Sequence, residues 1–162
     1  MNDVLREMIS EFRSELKKYN IDFELTKHKS GDIWFLIDLP SIYRLESYIA
    51  IIFHEENLGL SYYNLNAIEF KQIFTNINDI CEKFDFPPKV LIYTLIKAFS
   101  QALDDKYDIE THDLKIEIRR TLYQDDDSLF RKPPSGDDIL DSITYCMDDI
   151  KETLAIIFNR FD

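Results

Sequence analysis

The apolar residues of this chain switch between two spacings, and the switch limits the folds that the chain can adopt. Near both ends they recur every three or four positions, the period of an amphipathic helix. Over positions 20–65 and 112–122 they alternate with polar residues, as in strands with one buried face. We therefore predict a single α+β domain over residues 1–162, with an N-terminal helix, an antiparallel four- to five-stranded meander sheet, a helical pair and a long C-terminal amphipathic helix.

The first part of the chain predicts one helix followed by two hairpins. Asp3 can cap the helix, whose apolar stripe consists of Leu5, Met8, Ile9, Phe12, Leu16 and Tyr19. The first hairpin turns at 29–32, a stretch that contains Gly31, and its second strand ends before Pro40. The second hairpin joins strands at 48–54 and 58–65 through the polar turn 55–57. Four antiparallel strands in a meander are the simplest arrangement.

The second part of the chain predicts a helical pair, one more strand and a final helix. Helical spacing returns at Asn66, and Pro87-Pro88 ends that helix and begins another that runs to about residue 105. Strict alternation over 112–122 predicts a fifth strand, and 124–136 is the longest loop. Ser135 or Asp137 can then cap a final helix of about 25 residues.

The final predicted helix carries a broad apolar seam. Its members are Ile139, Ile143, Met147, Ile150, Leu154, Ile157 and Phe161, with Leu140, Cys146, Ala155 and Phe158 on the flanks. A stripe this broad is typical of globular cores, so we expect the helix to pack within its own chain. A seam between two copies of the chain is the alternative.

The charge balance predicts which partners the surface attracts. The chain has 31 Asp and Glu residues against 19 Lys and Arg residues, a formal net charge of -12. Unpaired carboxylates are costly to bury, so this surplus must lie on the surface. A negative surface repels phosphate backbones and anionic lipid, and it attracts basic proteins or divalent cations. We therefore expect neither direct nucleic-acid binding nor membrane binding; an acidic surface that serves solubility alone is the competing interpretation.

Compartment signals in the sequence favour a soluble cytoplasmic protein. The longest apolar runs are far shorter than the roughly 18 residues of a membrane span. Residues 1–10 include Asp3 and Glu7 and do not resemble a signal peptide. The two cysteines, Cys81 and Cys146, fall in predicted helices, which indicates two buried thiols rather than a disulfide.

The chain contains no motif that identifies an enzyme, a metal site or a cofactor site. None of the three histidines has a convincing catalytic or metal-binding neighbour in the sequence; they are His28, His54 and His112. Two cysteines 65 positions apart do not match a structural zinc site. The three glycines are too few and too far apart for a dinucleotide-binding or P-loop motif. The acidic clusters lack the spacing of an EF-hand. We expect no catalytic residue, no metal and no cofactor.

A candidate interaction surface remains on the final helix and the loop before it. Its acidic members are Asp125, Asp126, Asp127, Asp137, Asp138, Asp141, Asp148, Asp149 and Glu152, and its aromatic members are Tyr123, Phe130 and Tyr145. Charge steers association and aromatic anchors supply affinity, so this set suits a basic protein partner. An ordinary solvated helix face is the competing interpretation.

These features predict a non-enzymatic inhibitor that blocks a basic protein, such as a nuclease or another protein that handles nucleic acid. Toxin-neutralising immunity proteins and phage-encoded inhibitors of bacterial defence, including anti-CRISPR proteins, act in this way as classes. The alternative is a small acidic dimeric chaperone or adaptor of the secretion-chaperone type, which the helix, meander sheet and seamed last helix also suit. A monomer favours the inhibitor and a tight homodimer favours the chaperone.

Overall fold

A computed structural model describes residues 3–57, 63–124 and 134–159 of the chain. The elements in chain order are α1 (Asp3–Lys18), β1 (Glu24–Lys27), β2 (Ile33–Asp38), β3 (Ser47–Asn57), β4 (Tyr63–Phe74), α2 (Ile77–Lys83), α3 (Pro88–Ala102), β5 (Tyr107–His112), β6 (Lys115–Gln124) and α4 (Gly136–Asn159). The α+β class, the N-terminal helix and the long C-terminal helix are therefore confirmed.

The strands form one antiparallel sheet in the order β1-β2-β3-β4-β6-β5. Its first four strands follow the predicted meander, and the β5–β6 hairpin completes it, so the sheet has six strands where four to five were predicted. In β1 and β2, Leu25 lies opposite Phe35, and in β5 and β6, Glu110 lies opposite Glu117. The predicted turn at 29–32 is present, with Gly31 at a φ of 94° and its amide donating to the His28 carbonyl at 2.9 Å.

The chain divides into two compact units, each assembled from three separate stretches. Unit 1 comprises Met1–Ile37, Ala50–Phe70 and Thr121–Thr144, and unit 2 comprises Asp38–Ile49, Lys71–Arg120 and Tyr145–Asp162. In the part of the chain that the structure describes, no helix is both long enough and apolar enough to cross a membrane.

The core of unit 1 is built around phenylalanine rings. Phe12 of α1 packs edge-on against Phe35 of β2 with ring centres 4.8 Å apart, and Phe53 of β3 lies 5.9 Å from Phe12 and 5.6 Å from Phe35. All three side chains are fully buried. The alternation predicted for β2 is confirmed, because Ile33, Phe35 and Ile37 are buried.

The core of unit 2 includes the apolar face of α3. Pro88 occupies the first turn of this helix, where its missing N–H costs nothing. Ile92, Leu95 and Phe99 are buried, as their spacing predicts, and Phe99 stacks on Phe74 of β4 at 6.1 Å. The Cys81 and Cys146 thiols are both free and buried, which confirms the interpretation of two buried cysteines.

The helix predicted from Asn66 is wrong in its first half, because β4 continues to Phe74 and α2 begins only at Ile77. Buried residues alternate along this strand, with Ile68, Phe70, Gln72 and Phe74 facing inward. The polar Gln72 interrupts the apolar alternation at an inward position and conceals the period of two. The turn predicted at 55–57 is wrong, because β3 continues to Asn57. Residues 58–62 of the next predicted strand lie outside the described residues, and its remainder, 63–65, belongs to β4.

The strand β5 was not predicted. Only Tyr107 among its residues is buried, which leaves almost no apolar alternation to recognise. Its turn into β6 uses Asp113 and Leu114, both at positive φ (48° and 62°). A two-residue hairpin requires this conformation, but it usually takes Asn or Gly there.

The final helix begins with a reciprocal cap. Ser135 Oγ accepts a hydrogen bond from the Asp138 amide at 3.1 Å, and Asp138 Oδ2 accepts one from the Ser135 amide at 3.2 Å. The predicted seam is buried at Ile139, Ile143, Ile150, Leu154 and Ile157. The prediction that this helix packs within its own chain is confirmed for these residues; Phe161 lies outside the described residues.

Candidate functional site

The outward side of α4 in unit 2 combines exposed apolar side chains with carboxylates. Tyr145 is 56% exposed and Ile156 is 52% exposed. Asp148 and Glu152 lie between them and are exposed as well. Spacings of three, four and four residues place all four side chains on one side of the helix. We call Tyr145, Asp148, Glu152 and Ile156 the α4 face.

The exposed ring of Tyr145 contacts an arginine of the neighbouring strand. The guanidinium of Arg120 on β6 lies 5.5 Å from the centre of the Tyr145 ring and 5.0 Å from the centre of the Tyr107 ring on β5. Cation–π attraction at an exposed site is worth about 0.5–1 kcal/mol, so it favours this ring orientation in the free chain. A preoriented aromatic ring loses less conformational entropy on binding than a free one.

A partly buried hydrogen bond also positions Tyr107, the second ring beside Arg120. Tyr107 is 6% exposed, and its hydroxyl donates to Asp149 Oδ2 at 2.9 Å. Burial raises the pKa of Tyr107 far above its ordinary value, and the neighbouring Cys146 raises it further. The hydroxyl therefore stays protonated and remains a donor to Asp149. Asp149, one of the predicted partner-binding residues, is thus already engaged within unit 2.

The predicted acidic residues in the first turns of α4 belong to unit 1. Asp137, Asp138 and Asp141 are all exposed. Asp138 serves the N-terminal cap, and acidic residues at this end of a helix also interact favourably with its dipole. The capping role accounts for Asp138 without any partner, whereas Asp137 and Asp141 form no hydrogen bond or ion pair with another described residue.

The remaining predicted members of the surface divide into two groups. Tyr123 is 7% exposed on β6, so its ring lies in the interior and not among the exposed anchors. This position follows from a change in the alternation of β6, where Ile116 and Ile118 are buried at even positions and Tyr123 at an odd one. Asp125, Asp126, Asp127 and Phe130 lie outside the described residues.

His54 in unit 1 lies between two carboxylates that are distant from it in the sequence. Its Nδ1 lies 3.1 Å from Asp32 Oδ2 and its Nε2 lies 2.9 Å from Glu69 Oε2. The hydrogen bond with Glu69 raises the pKa of His54, its partial burial opposes this, and the charge of Asp32 raises it again. An imidazolium that donates from both nitrogens has no lone pair with which to act as a base. The structure therefore places His54 in an ion-paired arrangement with Asp32 and Glu69, which the sequence analysis did not predict.

One cluster in the described part of the chain has metal-ligating spacing. Ligand atoms of Glu110, His112 and Glu117, on the β5–β6 hairpin, lie within 4.8 Å of one another. Each carboxylate already faces a cation, since Glu110 pairs with Arg119 at 2.6 Å and Glu117 with Lys71 at 3.2 Å. These cations balance the negative charge that would attract a divalent ion. The cluster is therefore better explained as an ion-pair network across three strands.

Two residues were not identified from the sequence: Arg120, which lies over the Tyr145 ring of the α4 face, and Tyr107, which lies beside Arg120. A signal exists for Arg120, because Ile116, Ile118 and Arg120 occupy successive even positions and a cation at an inward position needs a partner. Its cross-strand neighbour is Tyr107. Comparison of the chain with protein-family models, curated proteins and solved structures found no match.

Proposed function

We propose that this chain is a non-enzymatic binding protein that blocks a basic protein by contacting it through the α4 face. The observation that carries the proposal is the pairing of two exposed apolar residues, Tyr145 and Ile156, with two exposed carboxylates between them, Asp148 and Glu152. Single exposed apolar residues are common on protein surfaces. Two of them on one side of a helix, one held by Arg120, form a small anchored patch.

The spacing of the residues in the α4 face indicates which kind of partner surface it can contact. Tyr145 and Ile156 are three helical turns apart, about 16 Å along the axis. A partner must therefore offer two apolar depressions with Lys or Arg side chains between them. Surfaces that bind a nucleic-acid backbone are rich in Lys and Arg, so a nuclease or another protein that handles nucleic acid has suitable chemistry. By occupying such a surface in the cytoplasm, the chain would compete with phosphate, as immunity proteins and anti-CRISPR inhibitors do as classes.

The net charge also supports binding to a basic protein. A formal charge of -12 accelerates encounter with a cationic protein and repels nucleic acid. Binding should therefore weaken as salt rises, because the charges that steer the encounter are screened within about 10 Å at 0.1 M ionic strength.

The test is partner capture with charge-reversed variants. The full chain is immobilised, basic proteins retained from a lysate of the source cells are identified, and the affinity of the best-retained one is measured at low and moderate salt. Asp148→Lys together with Glu152→Lys should weaken that affinity by about tenfold or more and flatten its salt dependence. Glu7→Lys, an exposed substitution on α1, is the matched control and should leave binding nearly unchanged.

Two further variants locate the contact. Tyr145→Ala should weaken binding by about tenfold or more if the ring is an anchor. Reversal of Asp125, Asp126 and Asp127 to Lys tests the loop, and unchanged affinity would remove the loop from the interface. If Asp148→Lys with Glu152→Lys binds as tightly as the unmodified chain, or if the chain binds DNA or RNA tightly at ordinary ionic strength, the proposal is wrong.

A dimeric chaperone or adaptor is the second candidate, and a separate observation favours it. Around the junction of α2 and α3, four apolar side chains are between 46% and 67% exposed: Phe84, Phe86, Val90 and Tyr93. Exposed apolar groups of this size often mark a contact between proteins. Sedimentation equilibrium decides, since a dimer that Val90→Asp with Tyr93→Asp converts to a monomer supports the adaptor, and a monomeric unmodified chain rejects it.

A further inference from the structure

The outer side of α3 in unit 2 carries cations but no carboxylate. The chain has 31 acidic residues among 162, yet α3 alone among the described helices contains none. Its charged residues are Lys89 and Lys97, and both are exposed. Along the chain, the nearest acidic residues are Asp85 before the helix and Asp104 after it. The exposed side of α3 is therefore a local positive region on an acidic protein.

An exposed aromatic ring lies midway between these two cations. Tyr93 is four residues from Lys89 and four from Lys97, so the three side chains share one side of the helix. Tyr93 is 67% exposed, and Val90 beside it is 48% exposed. The two lysines are about 12 Å apart along the helix axis. We call Lys89, Val90, Tyr93 and Lys97 the α3 face.

The cations of the α3 face have no opposite charge within the described part of the chain. Neither Lys89 nor Lys97 forms an ion pair with another described residue. Charges more than about 8 Å away are largely screened at physiological ionic strength, so these lysines dominate the potential next to the helix despite the net charge. A carboxylate placed beside either lysine is therefore stabilised.

The order of groups along the α3 face indicates which occupant it suits. Here apolar groups lie between two cations, whereas on the α4 face two carboxylates lie between Tyr145 and Ile156. A second copy that docked its α4 face on α3 would place its carboxylates against Tyr93 and its apolar groups against the lysines. A complementary surface has the opposite order, with apolar groups in the centre and a carboxylate on either side.

We propose that the α3 face binds an acidic amphipathic helix of another protein. The apolar residues of that helix cover Val90 and Tyr93, and two of its carboxylates, about 12 Å apart, pair with Lys89 and Lys97. This contact goes beyond the proposed binding of a basic protein and does not depend on it. A chain with both faces occupied would hold an acidic and a basic protein together.

The test is an NMR titration of the isotope-labelled full chain with two synthetic peptides of identical composition. Each is a helical peptide of about 20 residues, with two Glu and three Leu residues in a background of Ala and Gln. The first peptide has its Leu residues between two Glu residues about eight positions apart, and the second has the Glu residues in the centre and the Leu residues outside. The first should shift the backbone signals of Val90, Tyr93 and Lys97, and it should bind roughly tenfold more tightly than the second.

Variants of the chain assign this binding to the α3 face. Lys89→Glu together with Lys97→Glu should weaken binding of the first peptide by about tenfold or more and should leave the unfolding curve nearly unchanged, because both side chains are exposed. Arg13→Glu together with Lys17→Glu, on exposed positions of α1, is the matched control. It changes the net charge by the same amount and should alter binding by less than about twofold. Tyr93→Ala should weaken binding by about tenfold if the ring is an anchor.

Failure of the α3 face can be told apart from failure of the α4 face. Asp148→Lys together with Glu152→Lys should bind the first peptide nearly as the unmodified chain does. Conversely, Lys89→Glu together with Lys97→Glu should leave the capture of a basic protein nearly unchanged.

Several results would overturn the proposal. They are the absence of shifts with the first peptide, equal affinity for the two peptides, and an equal loss of binding in the α3 variant and the α1 control. A homodimer in sedimentation equilibrium that Lys89→Glu with Lys97→Glu dissociates would assign the face to a second copy instead. Vesicles containing phosphatidylserine that bind the unmodified chain but not this variant would assign it to an anionic membrane.

Discussion

The two compact units place their large apolar side chains differently. Among the described residues, nine large apolar side chains are exposed, and only Tyr19 and Leu25 belong to unit 1. The other seven belong to unit 2: Tyr43, Phe84, Phe86, Val90, Tyr93, Tyr145 and Ile156. Unit 1 instead gathers Phe12, Phe35 and Phe53 into one buried cluster.

This difference indicates where binding is to be sought. Both units contain amphipathic helices and strands of the same sheet, so the need to bury an apolar face cannot explain it. Folding accounts for the buried residues of either unit, but it does not account for rings that stay in water. We therefore expect substitutions in unit 1 to change mainly the stability of the chain, and substitutions in unit 2 to change both its stability and its binding of a partner.

The largest expected effect comes from one substitution made on the two sides of α4. Ile150 is 1% exposed, and Ile150→Asp should lower the free energy of unfolding by about 5 kcal/mol or more, because a charge is buried without a partner. Ile156 is 52% exposed, and Ile156→Asp should change it by about 0.5 kcal/mol or less. Chemical denaturation measures both. An unchanged unfolding curve for Ile150→Asp would mean that α4 is not part of the core.

The second prediction compares the loss of an aromatic side chain in each of the two units. Phe35→Ala should cost about 3–4 kcal/mol, because it leaves a cavity beside Phe12, Phe23 and Phe53. Tyr93 is 67% exposed, so Tyr93→Ala should cost about 0.5 kcal/mol or less. Equal losses for the two variants, measured by denaturant titration, would remove the distinction between the units.

The smallest effect concerns ionisable groups in unit 1. The pKa of His54 is raised by its hydrogen bond with Glu69, so its contribution to stability is fully present below its unfolded value of about 6.5 and is lost as pH rises through the folded pKa. The unmodified chain should therefore be more stable than His54→Gln at low pH. This difference should shrink by about 1 kcal/mol or less as the pH rises, since solvent screens this partly exposed group. Urea denaturation at a series of pH values measures it.

Glu69→Gln is the matched variant for this titration. It removes the carboxylate that raises the pKa of His54 most, so this variant, like His54→Gln, should lose most of the pH-dependent stability. An advantage over His54→Gln that grows as the pH rises would contradict the assignment, because it would require the folded state to favour the neutral ring.

Local periodicity was sufficient to predict the helices and strands that bury a continuous apolar face. The stripes of α1 and α3, the alternation of β2 and the seam of α4 are apolar at nearly every inward position, so their sequence determines their period. Periodicity failed where a polar residue occupies an inward position, as Gln72 does in β4. It also failed for β5, whose single buried residue is Tyr107.

The candidate sites were less predictable than the fold, because they depend on pairs that are distant in the sequence. Asp32 and Glu69 lie 22 and 15 positions from His54, and Asp149 lies 42 positions from Tyr107. Composition and helical spacing identified the acids of the α4 face, which need no partner within the chain. They could not identify Arg120, which lies over the Tyr145 ring, because this contact depends on which elements become neighbours in the fold.

The close approach of α1 and the start of α4 affects the order in which the chain can fold. A Cβ atom at Gly136 would lie 2.7 Å from the Glu11 carbonyl carbon, so the two backbones meet with no side chain between them at a separation of 125 residues. During synthesis Phe12 can pack on Phe35 and Phe53 once β3 has emerged, whereas the backbone at Glu11 must wait until most of the polypeptide has left the ribosome. Joining segments so distant requires a large loss of chain entropy before any contact compensates it, so this junction is expected to close late.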